Sequence, residues 1–281
     1  MSIKRHIRGA VRSVMRMPMA QRRVGESGGA AVDIVGQIRG IYGTALQLLL
    51  LARIDDVALV GGKVATWADR SGNARDATQG TDAARPTYSA TGLNSRPGLT
   101  LDGGDIISTG AFDLTAYNAL AVHIIFQDSI AGNAIVMERS ADGATTNGGF
   151  YIVVNNGGVG ELKFLATGNV GASSAETTVG VSMATPAIVT GTTDFAPATN
   201  ESILRHAKAD VTATRGSNSN NSSVLATANF GNHAIHIGAR TGGVAPVTGV
   251  VAAVAVAAWS TGVNLAQVQA AESLLAAEWG L

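Results

Sequence analysis

W-A-D-R-S-G-N-A-R-D-A-T-Q, Trp67 to Gln79, is the stretch whose reading decides the fold. Trp67 closes a short alternating run, Val64-Ala65-Thr66-Trp67. Asp69, Ser71, Gly72 and Asn73 follow it, residues that turn the backbone or hydrogen-bond it locally. The pattern predicts a strand ending in a tight corner, with Trp67 buried. Downstream, Arg85-Pro86-Thr87-Tyr88 repeats the idea, and Asn94 to Gly103 supplies a turn, a strand opened by Pro97 and a second turn.

Outward from the corner, short apolar runs separated by Gly and Asn dominate. Strands are predicted at Leu46 to Leu51, Leu120 to Phe126, Ala134 to Glu138, Gly149 to Val154, Glu161 to Ala166, Ala187 to Gly191, Ser202 to Ala207, Ala234 to Arg240 and Val250 to Trp259. Many short strands and little helical pattern argue an antiparallel two-sheet sandwich. One helix is clear near the end. Asn264 caps it with Gln267 three positions on, Leu265, Val268, Ala271 and Leu275 form its buried stripe, and Gly280 follows its last turn. Trp279 is expected to pack this helix, Leu265 to Trp279, onto the sandwich. Val32 to Tyr42 fits either a helix, by the spacing of Val32, Val35, Ile38 and Ile41, or a bent strand, because of Gly36, Gly40 and Gly43.

The corner at Trp67, the Arg85–Tyr88 and Asn94–Gly103 segments and the terminal Ala277-Glu278-Trp279-Gly280-Leu281 resemble the concanavalin A-like, laminin-G-like jelly-roll modules of bacteriophage virion proteins and bacterial surface proteins. The resemblance spans about residues 45 to 281 and implies a mostly β jelly-roll sandwich. It is specific for fold and weak for function, because this sandwich carries lectins, glycanases, adhesins and structural parts alike. Residues 1–44 are left as a basic N-terminal arm with its linker.

Composition sharpens that division. The chain has no cysteine, so disulfides and thiolate metal sites are excluded. Charged residues make up only 14%, against about 25% in ordinary soluble domains, so Ser, Thr, Asn and Gly must cover the surface. The net charge of zero conceals a polarity. Lys4, Arg5, Arg8, Arg12, Arg16, Arg22 and Arg23 lie in the first 25 residues, which hold no acid, so the remainder is acidic. Ile3, Ile7, Val14 and Met17 recur at helical spacing opposite Lys4, Arg8, Arg12 and Arg16, a basic amphipathic helix that Pro18 should end. Such a helix could serve as a transit peptide, lie on an anionic membrane surface or dock into an acidic-rimmed apolar groove on a partner protein, the last being the leading reading. No apolar run approaches the ~20 residues of a membrane-spanning helix.

Site chemistry is sparse. Glycan cleavage by paired carboxylates needs two acids about 5 to 10 Å apart. No strand carries alternating acids, and Asp55-Asp56 and Asp102-Gly103-Gly104-Asp105 do not substitute, so no enzyme is expected. His233 and His236, at an odd offset in a strand, should face opposite ways and form no zinc site, while His123, inside an apolar strand, reads as a hydrogen-bonded core or interface residue. Asp69, Asn73, Asp102 and Asp105 are the candidates for calcium, although turn chemistry accounts for all four, and no cofactor is required. The glycine-rich Gly238 to Gly243 reads as a hairpin loop.

The resemblance implies a bacteriophage virion structural protein, a fibre, spike or decoration component. Its arm would engage other virion proteins, and its lectin-like sandwich would face a host-surface glycan. A homo-oligomer, preferably a trimer, is expected, with no nucleic-acid partner. The alternative is a bacterial carbohydrate-binding adhesin or lectin, and a glycan hydrolase comes third.

Overall fold

In the computed structural model the strand Ala119–Asp128 runs through the middle of one sheet, antiparallel to Ala187–Asp194 on one side and to Thr248–Trp259 on the other. Thr248–Trp259 in turn pairs with Arg96–Asp102 along its first half and with Leu46–Leu51 along its second. Ser202–His206 extends the opposite edge from Ala187–Asp194. The second layer places Phe150–Val154 between Ala134–Arg139 and Glu161–Thr167, then continues through Ile235–Ile237, Ile107–Thr109 and Ala77–Thr78 to Lys63–Trp67. Thr87–Leu93 joins it to Arg96–Asp102, so the two layers are one continuous hydrogen-bonded sheet folded on itself. Every pairing is antiparallel. The expected β-sandwich is the observed fold, and the predicted strands are found within a few residues of their predicted limits.

The structure describes residues 33–128, 132–141, 147–155, 160–169, 174–195, 202–210 and 228–281. The arm residues Ile3, Lys4, Arg5, Ile7, Arg8, Arg12, Val14, Arg16 and Met17 lie outside these, as do the Gly216 to Ser223 segment and most of the Asn155 to Gly158 turn. Residues Ile34–Leu281 form one compact unit, so α1 (Ile34–Tyr42), assigned above to the arm and its linker, belongs with the strands. Its reading is thereby resolved as a helix. Ile34, Ile38 and Tyr42 are buried at i, i+4 and i+8, whereas Gly36 and Gly40 lie on the exposed side, where their helix-weakening effect is outweighed by burial of the apolar stripe.

Alternation sorts the strand residues into two cores. Leu120, Val122, Ile124 and Phe126 meet Val254, Val256 and Ala258 in the cluster between the sheets, with Trp67, Phe150 and Phe164. On the other face of the same sheet, Ile125, Ala253, Ala255 and Ala257 meet α1 and α2 (Leu265–Glu278). Such a sheet, covered on both faces, reads as unbroken apolar sequence. Within V-A-A-V-A-V-A-A-W the branched side chains fill the sandwich, and the alanines let the helices approach the backbone closely.

Trp67 is fully buried, and its indole N–H donates to the Leu51 carbonyl at 2.8 Å, as its place at the corner requires. Trp279 is also buried and donates to the Pro97 carbonyl at 2.8 Å, fastening α2 to the sheet. Two expectations for α2 need correction. Leu265 is 39% exposed, and Glu272 takes a place in the buried stripe beside Val268, Ala271 and Leu275. Asn264 does cap the helix, its Oδ1 accepting from the Gln267 N–H at 3.2 Å, but the Gln267 side chain donates to the Ile41 carbonyl at 2.6 Å rather than closing a reciprocal box. Among the described residues no helix is long and apolar enough to cross a membrane.

Candidate functional site

The residues singled out around Trp67 turn their polar atoms inward on the fold. Asp69 Oδ1 accepts from the Leu49 and Ser71 N–H groups at 3.0 and 2.8 Å, and its Oδ2 accepts from the Arg75 N–H and the Ser71 hydroxyl at 3.0 and 2.7 Å. Asn73 Nδ2 donates to the Leu46 and Gln47 carbonyls at 2.9 and 3.1 Å, while Gly72 supplies a φ of +100°. The corner therefore staples the start of Leu46–Leu51. As calcium candidates Asp69 and Asn73 give way to this use, since the amide presents its nitrogen and both carboxylate oxygens are engaged by donors. Asp102 and Asp105 form a turn of their own: Asp102 Oδ1 accepts from the Gly104 N–H at 2.9 Å and Asp105 Oδ2 from the Asp102 N–H at 3.0 Å. Burial pushes the Asp105 carboxyl up, and its Oδ1 is buried without a hydrogen-bond partner. Among the described residues no three His, Asp or Glu side chains group as a metal site.

The histidines are dispersed. His233 meets the Asn147 carbonyl, and His236 sits between the Ser108 and Thr241 hydroxyls at 2.8 and 2.7 Å. His123, fully buried as a core residue should be, belongs to a polar chain under the helices that the sequence reading missed. Thr190 Oγ1 donates to Glu272 Oε1 at 2.9 Å, and Arg205 Nε donates to Glu272 Oε2 at 3.0 Å. With the Thr190 proton committed, His123 Nδ1 must donate to Thr190 Oγ1 across 2.8 Å, which leaves Nε2 to accept from the Tyr42 hydroxyl at 2.5 Å. Every member is satisfied, and the direction of donation runs from Tyr42 to the carboxylate. Burial, with a smaller contribution from the Arg205 charge, holds the His123 imidazole down at about 3, so it is neutral at ordinary pH. Burial also pushes the Tyr42 phenol up.

Tyr42 links this polar chain to a surface concavity. At the end of the helix-covered sheet, Trp259 closes Thr248–Trp259 half-buried, with the Tyr42 ring edge-on at 5.8 Å and 63°. A hollow of about 580 Å³ opens beside them, lined also by Thr44, Thr261, Asn264 and Gln267. A second, of about 370 Å³, shares Thr261, Gly262, Val263 and Leu265 and adds Thr192, Asp194 and Ile203. The segment from Thr261 to Leu265 is thus a ridge between two hollows. Gly262 permits it, because its φ is +100° and a Cβ there would lie 2.9 Å from Asp194 Oδ2.

This cleft differs from the corner in what its polar groups lack. Among the described residues, the Thr44 and Thr261 hydroxyls, Asn264 Nδ2 and Gln267 Oε1 make no hydrogen bond to protein. A half-buried indole beside open hydroxyls and planar amides can stack an apolar ring face and hydrogen-bond groups around its edge. Sequence reading placed Trp259 in a strand and Asn264 and Gln267 in a helix cap. Their convergence comes from the sheet ending beside the helix start.

No family model matches the sequence, and no curated protein is similar to it. Solved structures do match in fold. Domain 4 of an extracellular arabinanase from Geobacillus stearothermophilus, in complex with arabinotriose, superposes with a TM-score of 0.54 at 13% identity, over 81% of this chain and 98% of that one. The binding domain of botulinum neurotoxin serotype D gives 0.53 at 10% identity, over 84% and 52%. A Trypanosoma rangeli sialidase in complex with sialic acid gives 0.51 at 14%, over 84% and 33%. At these identities the likeness is one of fold. The chain spans about half of the toxin domain and a third of the sialidase.

Proposed function

We propose that this protein is a lectin-like glycan-binding module whose site is the cleft at Trp259, displayed on a bacteriophage virion as a fibre, spike or decoration component. The observation that carries the binding reading is the half-buried Trp259 indole flanked by open Thr261, Asn264 and Gln267 groups, the pairing of ring platform and hydroxyl-seeking edges that a sugar needs. Fold likeness to an arabinotriose-bound domain and to a toxin binding domain supports it. Binding is favoured over cleavage because, among the described residues, Asp194 is the one carboxylate lining the two hollows, whereas hydrolysis by paired carboxylates needs two. The virion setting is supported by the jelly-roll resemblance and by the basic, acid-free segment before residue 26, which suits attachment to an acidic groove.

A glycan array followed by calorimetry on the best sugar tests the binding. Wild type should bind, and Trp259→Ala should lose at least tenfold in affinity with its fold intact. A chain that binds no glycan, or whose Trp259→Ala variant binds equally well, sinks the reading. Mass spectrometry of purified particles tests the setting, native mass spectrometry tests the trimer, and deletion of residues 1–25 should abolish incorporation while leaving the body folded.

A further inference from the structure

Three arginines converge away from the Trp259 cleft, in a hollow of about 390 Å³ lined by Val35, Arg39, Arg53, Asp55, Asp56 and Arg70. Arg70 comes from the corner that decides the fold, Arg39 from α1, and Arg53 from the turn ahead of Asp56. Asp56 is 1% exposed and is held between Arg53 Nε at 2.9 Å and Arg70 Nε at 2.6 Å. Arg70 Nη2 also donates to the Asp55 carbonyl at 2.9 Å, and Arg39 Nε donates to the Arg70 carbonyl at 2.7 Å. Each guanidinium is thus fixed through its Nε. Two of the three cations answer the buried Asp56, and Arg39 has no carboxylate partner among the described residues. Both Nη groups of Arg39 and of Arg53 remain for an acceptor, on side chains already ordered by their other bonds.

We infer that this hollow binds an oxyanion, the carboxylate or phosphate group of a small ligand, with Arg39 as the principal contact and Arg53 and Arg70 completing the cradle. The two open forks of Arg39 and Arg53, beside the Arg70 charge, in a cavity of this size recognise a group with two or three oxygens, and lysine at Arg39 would present only a point charge. Asp55, exposed on the same wall, opposes an anion and sets the affinity below what the arginines alone would give.

Calorimetry of the full chain at low salt, with inorganic phosphate, glucuronate and neutral glucose as probes, tests this and separates the two sources of the oxyanion. One anion should bind at one site per chain and glucose should not compete with it. Arg39→Ala should weaken binding at least tenfold, Arg39→Lys should weaken it less, and Asp55→Asn should strengthen it several-fold. Arg39 is exposed, so these variants should melt as wild type does. Trp259→Ala should leave anion affinity unchanged, which keeps this result separate from the glycan experiment. If neither anion binds, or if both bind with affinities that Arg39→Ala does not change, the inference is overturned.

Discussion

Two segments of this chain are built from nearly the same parts: Trp67-Ala68-Asp69-Arg70-Ser71-Gly72-Asn73 and Trp259-Ser260-Thr261-Gly262-Val263-Asn264. Each ends a strand in tryptophan, then turns through a hydroxyl residue and a glycine at φ +100° to an asparagine. In the first, the indole is fully buried, and Asp69, Ser71 and Asn73 spend their hydrogen bonds on Leu46–Leu51. In the second, the indole is half-buried and the neighbouring polar groups stay open to a hollow. Residue type therefore does not separate a structural corner from a binding cleft. What separates them is whether another strand arrives to satisfy the polar atoms.

The largest effects should fall on the satisfied side. Trp67→Ala should cost about 3 to 5 kcal/mol in urea unfolding, from lost burial and the cavity left behind. Glu272→Ala should cost a similar ~3 to 5 kcal/mol, because it strands Arg205 and the Thr190 hydroxyl beneath the helices. A loss under about 1 kcal/mol in either would mean that the corner or the polar chain is less closed than the structure shows. Asp69→Ala removes one carboxylate from four donors and should cost about 2 to 3 kcal/mol, without changing glycan affinity.

Acid sensitivity sharpens the contrast further. His123 binds its proton at about 3 in the folded chain but near its ordinary value of 6.5 when unfolded, so the unfolded state takes up more protons between these limits. Stability should be full above about pH 6.5 and fall by about 1.4 kcal/mol per pH unit as pH drops toward 3, beyond the contribution of the carboxylates. In His123→Gln that part of the slope should vanish from pH-dependent unfolding curves, although the variant starts less stable. The smallest stability change belongs to the open side. Trp259→Ala should alter unfolding by only about 1 kcal/mol while losing at least tenfold in glycan affinity, the reverse of Trp67→Ala.

The corner was legible because its residues act on chain only about 25 positions away and carry local turn chemistry. The strands were legible because a sheet covered on both faces demands unbroken apolar runs. Glu272 was not, since a single acid among Val268, Ala271 and Leu275 reads as a solvent-facing residue until Arg205 and Thr190 are brought to it from other strands. Nor was the cleft, whose members had sufficient local explanations as strand end and helix cap.

Sequence alone determined the sandwich, the burial of Trp67 and Trp279, and the Asn264 cap, because hydrophobic period, turn residues and caps act over a few residues. Tertiary structure decided that α1 joins the body, that a neutral histidine bridges Tyr42 to Thr190 ahead of a buried carboxylate, and that Trp259 stands at an open hollow. Those outcomes depend on which unsatisfied groups meet when distant segments pack, and a hydrogen bond between residues 67 or 82 positions apart leaves no periodic trace in the chain.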